Sequence, residues 1–169
     1  MHIREELQIA KPLEPGHEVA LAILLTREYV ARLFDQALYE PEGISDQQFN
    51  VLRILKGGPK DGYLVKDLRC RMIFRFADVP RLVNRLETRG LVKRCENPAD
   101  RRGSRVQITA KGLALEARMH TGHQALCQQV DRCLDPGERD LLLSLLERLR
   151  NDHRAQLEAL AEGVRAKLP

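Results

Sequence analysis

Apolar positions recur every three to four residues over much of the chain, predicting a largely helical protein. From about His17 to Tyr39 the stripe is Val19, Ile23, Val30, Leu33, Phe34 and Ala37, and Pro41 and Gly43 stop it. Residues 1–16, with Pro12, Pro15 and Gly16, are expected to form an extended or short helical arm. A second helix starts at Ser45, because Ser45-Asp46-Gln47-Gln48 is a capping box. Phe49, Leu52 and Leu55 supply its buried stripe, and Gly57-Gly58-Pro59 ends it. A short helix over about Val65–Arg71 turns Leu64, Leu68 and Met72 inward.

The next helix runs over about Ala77–Arg89, with Val79, Leu82, Val83 and Leu86 on one face. Pro80 is tolerated only in a first turn, which sets the start near Phe76–Asp78, and Gly90 is the expected stop. Two short strands, about 91–96 and 104–109, then flank an arginine-rich turn. Thr109 can cap a long helix to about Cys133. Asp135-Pro136-Gly137-Glu138 starts the last, which runs to about Lys167. Its stripe of Leu142, Leu146, Leu149, His153, Leu157, Leu160, Val164 and Leu168 is wider than a small domain needs and predicts a partner helix, with packing on the chain's own first helix as the alternative. The fold class is therefore mainly α with a small β-hairpin wing: a winged helix-turn-helix plus long dimerisation helices. Residues 1–44 are read as arm and first dimerisation helix, 45–110 as the winged lobe, and 111–169 as C-terminal dimerisation helices, together one intertwined domain.

Charge sharpens this picture. The 169 residues carry a net +4 at neutral pH. Between Lys60 and Lys111, however, 14 Lys/Arg stand against 6 Asp/Glu, a net of +8, and the rest of the chain nets −4. A basic middle between acidic flanks points to a polyanion held by one part of the molecule. Few aromatics (4%, no Trp) argue against base stacking on single strands. No apolar run reaches the ~18 residues of a membrane span, and the N-terminus lacks a signal-peptide core, so a cytoplasmic protein without membrane contact is expected. Cys70, Cys95, Cys127 and Cys133 lack CxxC spacing, which argues against a zinc site or disulfide framework. His120, His123 and Cys127, at i, i+3 and i+7, are the one potential metal face, with plain exposure the stronger reading. No Gly-rich phosphate loop, carboxylate pair at motif spacing or nucleophile elbow marks an enzyme; no catalytic residue, metal or cofactor is expected.

The candidate chemistry lies in two adjoining pieces. Side chains near the N-terminal half of a helix in the major groove meet base edges. Here these are Arg75, Asp78, Arg81, Asn84 and Arg85, with Arg81 or Arg85 alternatively paired to Asp78 or Glu87. The turn Asp100-Arg101-Arg102-Gly103-Ser104-Arg105 places three arginines in five residues. A narrow minor groove draws arginine, so Arg102 is the expected minor-groove contact and Asp100 orients it. Arg101, Ser104 and Arg105 are placed for phosphates.

At this point the chain resembles the MarR family of transcriptional regulators. The resemblance rests on LVNRLETRGLVKR (Leu82–Arg94) and on DRRGSRVQITAKG (Asp100–Gly112). The second segment matches the pattern D-x-R-x-x-x-V-x-L-T-x-x-G through Asp100, Arg102, Val106, Thr109 and Gly112, with Ile108 in place of Leu. It implies a homodimer on a double-stranded, pseudo-palindromic operator, acting as a repressor. It also implies a small phenolic or other aromatic effector, or an oxidant, where dimerisation helices meet the DNA-binding lobe. Arg27, Tyr29, His17, Tyr39 and Phe74 are candidates to line such a cavity, each with packing or surface as its alternative. Pro80 stands where members often carry Thr or Ser that bonds DNA, and the approach Met72-Ile73-Phe74-Arg75-Phe76 is unusually apolar. Peroxide-sensing members keep a cysteine near the start of the first long helix, and none precedes Cys70 here. Left open are redox control through a thiol such as Cys95, a non-specific architectural protein, and a protein-binding winged module.

Overall fold

The local signals fold as written. In the computed structural model, which describes residues 2–96 and 104–165, Ser45 caps helix α3 (Asp46–Lys56): its hydroxyl accepts from the Gln48 N–H at 3.2 Å, and the Gln48 side chain accepts from the Ser45 N–H at 3.0 Å. Before it come α1 (Ile3–Glu6) and α2 (Pro15–Phe34). The expected helix to Tyr39 is instead interrupted: Asp35–Tyr39 widens into a π-helical turn, in which the Glu40 N–H bonds to the Asp35 carbonyl. A 3-10 turn (Glu40–Glu42) follows and closes on Gly43, whose φ of 60° needs the left-handed freedom of glycine.

Helix α4 (Val65–Arg71) occupies the expected residues, and α5 (Val79–Thr88) begins after Asp78 with Pro80 in its first turn. It ends in a Schellman turn: the Leu91 N–H bonds to the Leu86 carbonyl at 2.9 Å, and the Gly90 N–H to that of Glu87 at 2.8 Å. Strands β2 (Val92–Glu96) and β3 (Ser104–Ile108) pair antiparallel, Val92 opposite Ile108 and Glu96 opposite Ser104. The expected hairpin wing is thus present, and a third strand extends it. A two-residue β1 (Tyr63–Leu64) pairs with β3 and gives the order β1-β3-β2. Two residues offer no alternating pattern, and their partner lies some forty residues away.

The core of the first compact unit (Met1–His123) is built by α3, α4, α5 and the sheet. Phe49, Val51, Leu52, Leu68, Met72, Val79, Val83, Leu86, Leu91 and Val106 are all fully enclosed. Helix α6 (Ala110–Asp131) starts here and adds Leu115 and Met119. Glu116, also buried, is ion-paired to Lys56 of α3, which satisfies a charge that would otherwise be costly to enclose. The second unit (Gln124–Pro169) contains α7 (Pro136–Arg165), capped reciprocally by Asp135 and Glu138 at 2.9 Å each way. No described helix is long and apolar enough to cross a membrane.

Thr109 and Gly112 have structural tasks at the start of α6. The Thr109 hydroxyl donates to the Gly90 carbonyl at 2.7 Å and accepts from the Gly112 N–H at 3.1 Å. A Cβ on Gly112 would lie 2.1 Å from the Leu91 carbonyl oxygen. Gly112→Ala should therefore lower the unfolding free energy by about 2–3 kcal/mol in urea titrations. Gly16→Ala, in the first turn of α2 with nothing within 4 Å, should be neutral or stabilising by up to about 1 kcal/mol.

Candidate nucleic-acid interface

Helix α5 turns Val79, Leu82, Val83 and Leu86 into the core and leaves Pro80, Arg81, Asn84, Arg85 and Thr88 exposed. Asp78 is the N-cap: its carboxylate accepts from the Arg81 N–H at 3.2 Å, satisfying one of the donors that open a helix. The alternative pairing of Arg81 or Arg85 with Asp78 or Glu87 does not occur. Among the described residues no side chain or carbonyl engages either guanidinium, so both stand free on the outer face. Glu87 is instead taken by Arg94 of β2, an ion pair reinforced by the Arg94 N–H donating to Glu87 at 3.0 Å. The same guanidinium donates to the Asn84 side-chain oxygen, fixing that amide. Sequence reasoning missed this clamp, because a seven-residue separation across a helix end carries no periodic signal.

Arg75 donates to the Cys70 carbonyl at 2.7 Å and so closes the link between α4 and α5. Arg105, near the turn end of β3 and beside β1, is occupied. Its guanidinium donates to the Asp61 carbonyl at 3.0 Å, lies 2.9 Å from the Asp61 carboxylate and donates to the Gly62 carbonyl. It ties the loop before β1 to β3, a role that the expected phosphate contact did not include. Ser104 is half-buried at the start of β3. Asp100, Arg101 and Arg102 lie outside the described residues.

The far end of α5 is strapped to its surroundings. Arg89 donates to the carbonyls of Gly43 and Glu42, the latter at 3.1 Å. Glu42 accepts two hydrogen bonds from Arg118 of α6, at 3.0 and 2.8 Å, which hold its carboxyl below the usual range. Lys111 donates to the Arg89 carbonyl at 2.8 Å.

A cavity of about 240 Å³ lies beside the link that leads into α5. Arg27, Val30, Ala31 and Phe34 of α2, Asp35 and Tyr39 of the π-turn, Asp46 of α3, and Phe74 of the link line it. The structure thus brings together Arg27, Tyr39 and Phe74 from the candidate effector residues. His17 and Tyr29 are elsewhere; Tyr29 bonds to Glu6 of α1. Burial and the nearby Asp35 carboxylate push the Asp46 carboxyl up, against the backbone N–H of Gln47 and the charge of Arg27.

Among the described residues no cluster of His, Cys, Asp and Glu could hold a metal ion. His120 faces Glu116 at 3.6 Å, and His123 packs on Phe34 and Phe49 with Arg53 at 3.2 Å. Among the described residues no disulfide joins the four cysteines; Cys95 bonds to Gln107 at 3.3 Å and the other three are exposed.

Burial, then Arg53 and His120, pull the His123 pKa below 6.5, against the opposing charge of Glu116. A histidine depressed in the fold takes protons more readily when unfolded, so stability is full above the unfolded value and declines as pH falls below about 6.5. The urea midpoint should therefore drop between about pH 7.5 and pH 5.5. His123→Gln should flatten that drop; an unchanged pH slope would remove the assignment.

Comparison with known proteins places this geometry. The MarR family model matches residues 42–103. A curated relative from Thauera aromatica, named for transcriptional regulation of the hcr operon, is 28% identical over 118 residues, covering 70% of each chain. Among solved structures, BpsR of Bordetella bronchiseptica, whose DNA binding is regulated by 6-hydroxynicotinic acid, is 27% identical with a TM-score of 0.64, covering 78% of this chain and 98% of its own. A MarR mutant from E. coli in complex with operator DNA is 25% identical with a TM-score of 0.69, covering 81% of this chain and 99% of its own. The segment that holds β1, the capped α5 and β2 thus matches the MarR family of transcriptional regulators, and the fold around it is similar to that of MarR bound to operator DNA.

Proposed function

We propose that the chain is a homodimeric repressor that binds a pseudo-palindromic duplex operator and leaves it when a small aromatic effector binds. The observation that carries this reading is the outer face of α5. Arg81 and Arg85 stand free and exposed there, and Asn84 is held in place by Arg94. An arginine fork matches the two acceptors of guanine and an oriented amide matches adenine. The wing residues Asp100, Arg101, Arg102 and Ser104 are proposed beside it, Arg102 in the minor groove and the others orienting it or meeting phosphate.

Dimerisation is supported by apolar surface on the arms. Helix α2 contains no buried residue, with Val19, Ile23, Leu24, Val30 and Leu33 exposed. Helix α7 exposes Leu141, Leu142, Leu143, Leu145, Leu157 and Leu160. Surfaces of this kind mark association sites. A two-fold dimer would set its two α5 helices about one DNA turn, ~34 Å, apart. The MarR complex with operator DNA and the control of BpsR by 6-hydroxynicotinic acid support the same reading by likeness.

The cavity supplies a route from effector to operator. An occupant between Arg27, Tyr39 and Phe74 would press on the link that ends at the Asp78 cap. A ligand favouring one setting of that link shifts the population away from the DNA-binding form.

Selection from random duplex fragments should return a palindromic site, whose affinity should fall steeply with salt. Arg85→Ala and Arg102→Ala should each weaken that site by about 10-fold, within the range for one base contact. Affinity insensitive both to salt and to these changes would overturn the proposal.

A further inference from the structure

The two most exposed large hydrophobic residues among those described are not on the arms. They are Ile73 and Phe76, 74% and 88% exposed, in the link Met72–Asp78 just ahead of α5. That link is firmly held. Met72 is buried, the Ile73 N–H donates to the Asn50 side chain at 3.1 Å, Arg75 donates to the Cys70 carbonyl at 2.7 Å, and the Ala77 N–H donates to the Phe74 carbonyl at 3.1 Å. Phe74 lines the cavity while Phe76, two residues on, is left in solvent. Phe76 is therefore presented by a fixed turn, at the leading end of the helix whose outer face carries Arg81 and Arg85.

We propose that Phe76 is a specificity-determining residue that packs on the C5-methyl group of a thymine in each operator half-site; this rests on the operator-binding function above. The thymine methyl is the one base feature in the major groove that an apolar side chain can read. Pro80, exposed in the first turn of α5, presents no backbone donor either. The surrounding charge selects the occupant. Arg69, Arg71, Arg75, Arg81 and Arg85 are all exposed, whereas the Asp78 carboxylate is turned to its own helix. An apolar peptide or a second copy of this face would have to desolvate those cations, and a duplex offers them phosphates and guanine edges.

The test replaces thymine by deoxyuridine, which removes the methyl group alone, at each position of the selected operator in turn. Wild-type protein should lose about fourfold in affinity at one thymine per half-site, the worth of one buried methyl group. With both half-sites changed, the loss should reach about 15-fold. Phe76→Ala should bind the normal operator weaker by a similar factor and should not distinguish thymine from uracil at that position. Phe76→Leu should retain part of the discrimination. Because Phe76 is so exposed, Phe76→Ala should keep the wild-type melting temperature, separating a lost contact from a lost fold. A wild-type protein indifferent to every uracil, or a Phe76→Ala protein that still discriminates, overturns this inference while operator binding stands. A protein that selects no site overturns both.

Discussion

The contact on which the rest depends is the approach of the first turn of α6 to the backbone at Leu91. The Leu91 carbonyl accepts from the Thr109 N–H at 3.1 Å and lies against the bare Cα of Gly112, while the Thr109 hydroxyl beside it donates to the Gly90 carbonyl. Leu91 is also where the Schellman turn of α5 ends and β2 begins. One carbonyl therefore joins α5, the wing and the long helix α6. Hydrogen bonds of this kind are modest individually. Their effect here is geometric, since a side chain at position 112 would force α6 away and change the angle at which all three elements meet.

Around this clasp the charges form a strap rather than a scatter. Arg89, at the end of α5, is held through its side chain by the turn after α2 and through its carbonyl by Lys111. Arg118 holds the same turn through Glu42. Exposed ion pairs contribute little to stability, so the value of this set lies in connectivity. The turn it grips directly follows Tyr39, which lines the cavity. Both ends of α5 are thus tied to residues near one small aromatic space, the leading end through Phe74 and the trailing end through Glu42 and Gly43.

What the chain's pattern revealed divides along physical lines. The capping box at Ser45, the limits of α4, the first-turn Pro80, the Gly90 stop and the Asp135–Glu138 cap are set by residues within a few positions of one another, and all were legible. Strand β1 was not, because its pairing is decided by Val106 and Arg105 far along the chain. The π-turn was hidden as well, since Asp35–Tyr39 has ordinary helix-forming residues. Within the interface, the exposed set Arg81, Asn84 and Arg85 followed from helical periodicity. The tasks of Arg94, Arg105 and Asp78 did not, because a guanidinium or carboxylate is assigned by whichever partner the tertiary fold brings near. The cavity was half visible: Arg27, Tyr39 and Phe74 were among the candidates, whereas Asp35 and Asp46 carry no signal that separates a lining acid from a surface one.

The π-turn has a geometric corollary for the first arm. An α-helix advances about 100° per residue, and a π-turn accommodates one residue beyond the α count without breaking the helix. The five residues Asp35–Tyr39 therefore act as a phase shifter between α2 and the body of the lobe. Losing one residue there would restore plain helix and leave composition almost untouched, yet it would rotate the apolar stripe of Val19, Ile23 and Val30 by roughly a quarter turn relative to Tyr39. The heading of the arm relative to Tyr39 is thus encoded by a residue count as much as by the identity of the residues.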